Sequence, residues 1–556
     1  MKKVLTIVLV FAVILAVLLG ADALWKRFAP EPEPVEETER EMVVTNTMDP
    51  ENATVIRLAD GATTTLGVGA VVQADGASVT IVYPGTYQVE GTLTDGQIVV
   101  DLGDFNGTVY LILNGASVTS SSGPALYVAE SGLTVLYLVD DTDNFLQDGQ
   151  DYLVQEQQEK KTGAGIYSAD DLVIAGGGTL TVVGSASDGI RTKDAMAILD
   201  GTIRVYAKDD GLQASDYLKI SGGDITVGAY GDGVSVLDGF VEITDGAVDV
   251  TSAGDGIAAL TDVRVSGGSV RVTAYGGADN YAEIAMKDLS AKGIKAENIE
   301  ISGGRIELNT ADDGIHAARN AAITDGVFVI TTGDDGIHAA SGLDIRSAAI
   351  DVTASYEGIE AETITMSETI YRATAENNAV DTGEGGFTGY ASKLFLAAPR
   401  AISSDGACNM LACDLLLDAD GTDSLFSFRS SSIVGGTIIA CAETGRSEVL
   451  LEKGSIPGSM FLGFGESVAA GTPIVITDAA GTPVFSYVPH IDTGAILIAT
   501  GALLEGQPYM LTAGENVTAV DYLADDCFVS EPEIVMPQGR GGFPGGFPGM
   551  PGPGGR

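Results

Sequence analysis

The chain has 556 residues, 45% of them hydrophobic, and its 77 acidic and 29 basic side chains give a formal net charge of −48. This charge excludes a nucleic-acid partner bound through basic patches. Four cysteines in a chain of this length exclude a disulfide scaffold, while the apolar content is ample for a buried core.

Residues 1–28 are predicted to be an export segment. Lys2 and Lys3 precede an apolar run, Val4 to Gly20, and Ala21-Asp22-Ala23 resembles a signal-peptide cleavage site. The run is also close to membrane-spanning length, so a cleaved signal peptide and a retained membrane anchor both stay open. In either case we expect an extracellular or cell-surface monomer that touches the membrane only through this segment.

Composition divides the remaining chain into four parts. Residues 29–55 are predicted to be an acidic Pro/Glu linker, and residues 531–556 a disordered Gly/Pro-rich tail. Residues 56–455 show short alternating apolar runs between glycine turns, with almost no helical periodicity. Longer strands in residues 456–530 predict a small C-terminal β domain that also caps the preceding one.

An internal repeat decides the predicted fold of residues 56–455. An acidic residue, a glycine and an aliphatic residue recur at spacings of 22, 22, 23, 58, 22 and 22, beginning at Asp188, Asp210, Asp232, Asp255, Asp313, Asp335 and Glu357. Lys292-Gly293-Ile294 divides the long interval, which leaves an insertion of about fifteen residues near 276–290.

A strand-forming unit of about 22 residues cannot bury its own apolar face, so its copies must stack in parallel sheets. The predicted fold is therefore all-β, a right-handed parallel β-helix (solenoid) with about 22 residues per coil. A propeller fits less well, because its blades need about 40 residues or more.

Stacking places the acidic residues of successive coils about 4.8 Å apart. Two unit charges at this spacing repel by roughly 3.5 kcal/mol at an effective dielectric constant near 20. Because Ca²⁺ accepts oxygen ligands in loose geometry, we predict calcium ions at these turns. The alternative is that Asp-Gly is simply favourable turn chemistry with hydrated carboxylates. The predicted metal ligands are Asp209, Asp210, Asp232, Asp255, Asp312, Asp313, Asp334, Asp335 and Glu357.

A second column lies three residues after the first and contains Lys295, His316, His338 and Glu360. Its members alternate with isoleucines that are expected to point inward, so their own side chains should point outward. With Lys292, Tyr356 and Glu357 they make a mixed-charge strip roughly 15 Å long, the reach of a few sugar units. The alternative is a solvated face whose charges compensate one another. The predicted carbohydrate-binding residues are Lys292, Lys295, His316, His338, Tyr356 and Glu360.

These residues also carry a resemblance to a known family. The four turns Lys292-Gly-Ile-Lys-Ala296, Asp312-Asp-Gly-Ile-His-Ala317, Asp334-Asp-Gly-Ile-His-Ala339 and Tyr356-Glu-Gly-Ile-Glu-Ala361 resemble the signature of a bacterial extracellular carbohydrate-binding β-helix family, long catalogued as a domain of unknown function. The resemblance implies a β-helix like that of pectate lyases, calcium at the coil turns, and binding of cellulosic and acidic pectic polysaccharide without established cleavage. The chain departs from the family at Asn377-Asn378-Ala379-Val380, where another acidic turn is usual.

Three functions remain open. The preferred one is non-catalytic, calcium-dependent binding of cell-wall polysaccharide at the bacterial cell surface. A calcium-dependent, pectate-type lyase would need a base, for which Lys292, Lys295, His316 and His338 are available. A calcium-stiffened stalk or adhesin is the third. Cys408, Cys413 and Cys441 allow either a disulfide or an interior stack of thiols, and Cys527 stands apart.

Overall fold

The computed structural model describes residue 42 and residues 48–74, 76–150, 162–419, 426–427, 430–442, 459–504, 507–514 and 516–521. Apart from Met42, all of these belong to the unit Val43–Arg556. The predicted export segment, most of the predicted linker, the predicted tail and Cys527 lie outside the described residues. Within the described part, no helix has the length and apolar character needed to cross a membrane.

Most of the described strands form one parallel β-helix of about 15 coils with about 23 residues each. Coils such as residues 188–207 contribute three short strands that pair in parallel with their equivalents one coil later. In several later coils two of these strands run together as one long strand, as in Ile294–Thr310. The predicted parallel β-helix is thereby confirmed, with a coil length close to the period of the sequence repeat.

The coils before the acidic repeat begin with a short 3₁₀-helix, Pro50–Asn52. Their strands are Thr54–Leu58 (β1), Thr64–Leu66 (β2), Ala70–Val72 (β3), Ser78–Ile81 (β4), Gly85–Leu93 (β5), Gln97–Asp101 (β6), Thr108–Thr119 (β7), Leu126–Glu130 (β8), Leu133–Leu138 (β9), Asp143–Gln147 (β10), Ala164–Ser168 (β11), Leu172–Ala175 (β12) and Thr179–Gly184 (β13).

The acidic repeat occupies the middle coils. Their strands are Asp188–Thr192 (β14), Met196–Ile198 (β15), Thr202–Ala207 (β16), Leu212–Ala214 (β17), Tyr217–Ala229 (β18), Val234–Val236 (β19), Phe240–Ser252 (β20), Ile257–Ala259 (β21), Asp262–Val265 (β22), Ser269–Ala274 (β23), Ile294–Thr310 (β24), Ile315–Thr332 (β25), Ile337–Arg346 (β26), Ala349–Ala354 (β27), Ile359–Ser367 (β28) and Ile370–Thr374 (β29). Between β23 and β24 the predicted insertion forms a 3₁₀-helix, Ala278–Asn280, and a short α-helix, Tyr281–Lys287 (α1).

The last coils lead into a small antiparallel region. The coil strands are Asn378–Tyr390 (β30), Lys393–Ala397 (β31), Arg400–Ser404 (β32), Ala407–Leu411 (β33), Asp414–Ala419 (β34), Phe426–Ser427 (β35), Ser430–Val434 (β36) and Thr437–Ala442 (β37). They are followed by Ser459–Val468 (β38), Ile474–Thr477 (β39), Pro483–Tyr487 (β40), Thr493–Thr500 (β41), Pro508–Ala513 (β42) and Asn516–Asp521 (β43).

The C-terminal strands differ from the coils in direction. Strand β41 pairs antiparallel with β37 and so covers the free edge of the last described coil. Strands β40, β39, β42 and β43 form a separate four-stranded antiparallel sheet. This confirms a small C-terminal β region, while its predicted boundaries stay predictions. The three described cysteines, Cys408, Cys413 and Cys441, are buried free thiols.

The glycine of the acidic repeat is required by the close approach of neighbouring coils. A Cβ added to Gly211 would lie 2.5 Å from the carbonyl oxygen of Gly233 and 2.2 Å from Val227 Cγ1. The aliphatic residue that follows each of these glycines points into the core, as at Ile315 and Ile337, which are fully buried. The repeat therefore fixes the stacking register at this corner of every coil.

Candidate functional site

One turn of each middle coil carries an aligned column of ionisable side chains. At each turn the N–H of the repeated glycine donates to a carbonyl oxygen of the next coil, that of the residue just before the equivalent glycine. Gly211 donates in this way to Asp232 at 2.9 Å, and Gly314 to Asp335 at 2.8 Å. We call this line the turn column; its members are Asp188, Asp210, Asp232, Asp255, Lys292, Asp313, Asp335 and Glu357. Lys292 joins the two acidic runs that the repeat indicated into one column.

The aspartates of the turn column act as caps between coils. Asp210 Oδ1 accepts the N–H of Asp232 at 2.8 Å, and Asp232 Oδ1 accepts the N–H of Asp255 at the same distance. The second carboxylate oxygen commonly contacts the side chain three residues on, as Asp188 Oδ2 contacts Arg191 at 3.0 Å. These hydrogen bonds give the repeated aspartates a structural role that does not require a bound ion.

Asp232 has the least compensated charge in the first half of the column. The residue three positions on is Ser235, whose side chain hydrogen-bonds to Asp210 instead. Burial, together with the charges of Asp255 and Asp210, raises the pKa of Asp232 to about 7. Burial also raises the pKa of Asp188 to about 6, even though Arg191 opposes the shift. The column therefore stores electrostatic repulsion at neutral pH.

Three carboxylates from two coils converge beside Lys292. We call Asp312, Asp313 and Asp334 the acidic trio; they offer oxygen atoms within 4.8 Å of one another. Lys292 Nζ lies 2.8 Å from Asp312 Oδ1 and 2.7 Å from Asp313 Oδ2. Because its donors are all oxygen atoms, the acidic trio matches the preference of a hard divalent cation.

The members of the acidic trio differ in their titration. Burial would raise the pKa of Asp313, but hydrogen bonds from His316 and Lys292 outweigh it and lower that pKa to about 2. Burial, followed by the charges of Asp313 and Asp312, raises the pKa of Asp334 to about 6. One lysine therefore does not neutralise the cluster.

The insertion packs against these acidic turns. A Cβ added to Gly333 would lie 2.5 Å from Tyr281 Cβ, so the start of α1 lies directly against the coil. The side chain of Tyr281 hydrogen-bonds to Asp334, and Ser290 Oγ donates to Asp255 Oδ1 at 2.6 Å. The sequence indicated where the insertion occurs, but nothing in the repeat indicated that Tyr281 and Ser290 reach the acids.

The predicted second column exists as an aligned row on the strands that follow the turn. Lys295 is in register with His316, His316 with His338, and His338 with Glu360. The two imidazole rings are stacked, with centroids 4.9 Å apart and planes 7° apart. The role of this row in carbohydrate binding stays a prediction.

Carboxylates of the turn column pair with the cations of this row. Lys295 Nζ lies 2.8 Å from Asp255 Oδ2, and His316 Nδ1 lies 2.7 Å from Asp313 Oδ2. Hydrogen bonds to Asp335 and Glu360 raise the pKa of His338 to about 10. The row is therefore a charge-paired surface and not a set of free cations.

The remaining predicted residues occupy different environments. Tyr356 is 46% exposed, while Lys292 is 14% exposed and engaged by carboxylates. Asp209 Oδ2 accepts a hydrogen bond from Ser187. Glu357 accepts hydrogen bonds from the amides of Asn377 and Asn378, so this turn supplies neutral donors to it.

A groove that the sequence analysis missed lies on the next face of the β-helix. Its volume is about 400 Å³, and its polar lining includes Glu242, Arg264, Ser266, Glu300, Ser302 and Thr324. These residues belong to, or directly follow, strands in which outward positions alternate with core positions. Nothing in the repeat distinguishes them from ordinary solvated positions.

Part of the β-helix is similar in sequence to known proteins. Residues 75–336 match a family model described as carbohydrate-binding domain-containing protein. A protein of that description from Acetivibrio thermocellus is 38% identical over 138 residues, which cover 24% of this chain and 48% of the relative. The match thus spans about half the length of that relative. Together, the two matches confirm the resemblance to a carbohydrate-binding domain family that the sequence of the coil turns indicated.

Among solved structures, the polysaccharide lyase-like protein from C. thermocellum, a gadolinium derivative, is 24% identical with a TM-score of 0.33. The alignment covers 56% of this chain and 96% of that chain.

Proposed function

We propose that this chain, whose residues 75–336 match a carbohydrate-binding family, binds acidic cell-wall polysaccharide in a calcium-dependent and non-catalytic manner at the bacterial cell surface. The observation that carries the proposal is the turn column, with the acidic trio in its second half and a partly exposed row of polar side chains beside it. The export segment, residues 1–28, is proposed to deliver the chain outside the cytoplasm.

Calcium is supported by the donor set. The acidic trio offers carboxylate oxygens from two coils, and Asp334 retains a pKa of about 6 even with Lys292 close by. A divalent cation held by these side chains would reduce the repulsion in the column. Asp209, Asp210, Asp232, Asp255, Asp335 and Glu357 remain proposed contributors at the other turns.

An acidic glycan needs positive charge at its binding surface, and the formal net charge of this chain is −48. Bound calcium would supply that charge between protein carboxylates and uronate carboxylates. Lys295, His316, His338 and Glu360 extend the surface across four coils, and Tyr356 adds a half-exposed ring that suits stacking on a sugar. Lys292 contributes beneath this surface through the acidic trio.

Lyase chemistry is the weaker alternative, because two of the available bases are held in their protonated forms. Burial would lower the pKa of Lys292, but the charge of Asp313 and hydrogen bonds to Asp312 and Asp313 raise it. The pKa of His338 is about 10. A base that must take a proton near neutral pH needs a pKa close to that pH.

The test is isothermal titration of the full chain with polygalacturonate in millimolar calcium and again in EDTA. We expect binding only with calcium, and loss of binding in the double variant Asp312→Asn with Asp334→Asn. Exposed Asp224→Asn is the matched control and should bind like the original chain. Binding that persists in EDTA, or no binding to polygalacturonate, cellulose or other wall glycans in calcium, contradicts the proposal. In the latter case the stalk or adhesin would be favoured. Calcium-dependent release of unsaturated sugars, followed by ultraviolet absorbance, would establish the lyase instead.

A further inference from the structure

We infer that the chain has a separate binding site for a zinc-type transition-metal ion, formed by His338, Asp335 and Glu360. These side chains come from two successive coils, and their ligand atoms lie within 4.8 Å of one another. The inference does not depend on polysaccharide binding, and it concerns a different metal class and a different donor set from the acidic trio. It assigns a second ligand to Asp335, proposed above as a calcium contributor, and to His338 and Glu360, proposed above to contact glycan.

The spacing of the three ligand atoms fits a small tetrahedral ion. His338 Nδ1 lies 3.3 Å from Asp335 Oδ2 and 3.1 Å from Glu360 Oε2. In a tetrahedral zinc site with bonds of about 2.0 Å, neighbouring ligand atoms are about 3.3 Å apart. Two of the three distances between ligand atoms therefore match the spacing of neighbouring corners in such a site. Solvent can supply a fourth ligand, because His338 and Glu360 are only partly buried.

The imidazole makes the site selective. Nitrogen ligands suit zinc, nickel and copper, whereas calcium prefers sites built from oxygen alone. Two neighbouring contacts hold the ligands in place. The N–H of Asp335 donates to Asp313 Oδ1 at 3.2 Å, and the ring of His338 is stacked on that of His316.

The previous coil supplies a natural control for the site. His316 sits three residues after Asp313 and contacts it at 2.7 Å, as His338 contacts Asp335. There, however, Lys292 Nζ lies 2.7 Å from the same Asp313 oxygen, and the residue one coil later is a histidine and not a carboxylate. The turn at His316 therefore lacks the second carboxylate that Glu360 supplies to His338, so His316 should not form an equivalent site.

The experiment titrates the full chain with Zn²⁺ in an excess of Ca²⁺, and with Co²⁺ while visible absorption is recorded. We expect one saturable site and a tetrahedral Co²⁺ spectrum. His338→Ala should weaken Zn²⁺ binding by more than about tenfold. His316→Phe, which keeps an aromatic ring against His338 and removes the ring nitrogen atoms, should change it by less than about threefold. Glu360→Gln, which keeps the shape of the side chain, should also weaken it. Circular dichroism of each variant checks that the β-helix is intact.

Two results would overturn the inference. One is absence of saturable Zn²⁺ binding in calcium, and the other is equal affinity in the original chain, His338→Ala and Glu360→Gln. Because no glycan is present, either result leaves the proposed polysaccharide binding intact. Conversely, a failure of polygalacturonate binding would not count against this metal site, because the Zn²⁺ titration tests it independently.

Discussion

The ammonium group of Lys292 lies 2.7 Å from the carboxylate of Asp313, at the point where the two acidic runs of the turn column meet. Replacement of this lysine by Gln should leave the acidic trio without its counter-charge. Because Lys292 is only 14% exposed, we expect Lys292→Gln to lower the free energy of unfolding in EDTA by about 3 kcal/mol.

Denaturant unfolding in EDTA measures this loss. Lys219→Gln is the control, because Lys219 forms a more exposed ion pair with Glu242 at 3.3 Å, and it should cost less than about 1 kcal/mol. Equal effects of the two substitutions would show that Lys292 does not offset the acidic trio.

The raised pKa of Asp232 predicts the direction of the pH dependence of stability. Its folded-state pKa is about 7, above the ordinary value of 3.8, so the folded chain binds more protons than the unfolded chain between these pH values. Stability should therefore fall as the pH rises through this window. Asp232→Asn keeps an oxygen for the N–H of Asp255 and removes the charge. It should raise stability at pH 8 in EDTA, on the order of 3 kcal/mol.

The measurement is a series of unfolding curves from pH 4 to pH 8 for both chains. The variant should show a flatter profile, whereas exposed Asp224→Asn should leave the profile unchanged. A variant less stable than the original chain at pH 8 would mean that the Asp232 carboxylate is stabilising.

A single substitution at Asn378 can convert a neutral turn of the column into an acidic one. Asn378 is buried and donates to both Glu357 and Asp381, each at 3.0 Å. Asn378→Asp would place three carboxylates in contact and should cost about 3–5 kcal/mol in EDTA. If calcium relieves repulsion in the turn column, millimolar calcium should recover much of this loss.

Thermal unfolding of Asn378→Asp with and without calcium tests this point, with exposed Asn409→Asp as the control. Loss of stability that calcium does not reverse would argue against calcium as the ion that offsets these carboxylates.

The close approach at Gly211 predicts a cost for even one added methyl group. Gly211→Ala places a Cβ 2.5 Å from the carbonyl oxygen of Gly233, which is backbone and cannot move away easily. We expect a loss of about 1–3 kcal/mol. Gly501→Ala, where no atom lies within 4 Å of the added Cβ, should change stability little. Equal stability of Gly211→Ala and the original chain would mean that the coils can separate at this corner.

The sequence was sufficient for whatever depends on strict periodicity. The register of Lys295, His316, His338 and Glu360 follows from the repeat, because residues one coil apart must lie on the same strand position. The inward position of the intervening isoleucines follows from strand alternation.

Contacts that depend on rotamers or on the path of the insertion could not be predicted. The hydrogen bond between Tyr281 and Asp334 arises because α1 folds back onto a later coil, and no periodic pattern specifies that direction. The placement of Lys292 between Asp312 and Asp313 likewise depends on how a long side chain bends. Nor does spacing show that Asn378 would replace a missing carboxylate as a donor to Glu357.

The N–H of Lys292 donates to Asp255 Oδ1 at 2.8 Å although the two residues are 37 positions apart in the chain. The excursion that contains α1 therefore leaves and returns at a single corner without breaking the hydrogen-bonded seam. Such a corner can host excursions of other lengths and chemistries while the stack beneath it stays constant. The architecture thereby separates the part that can diversify from the part that must stay uniform.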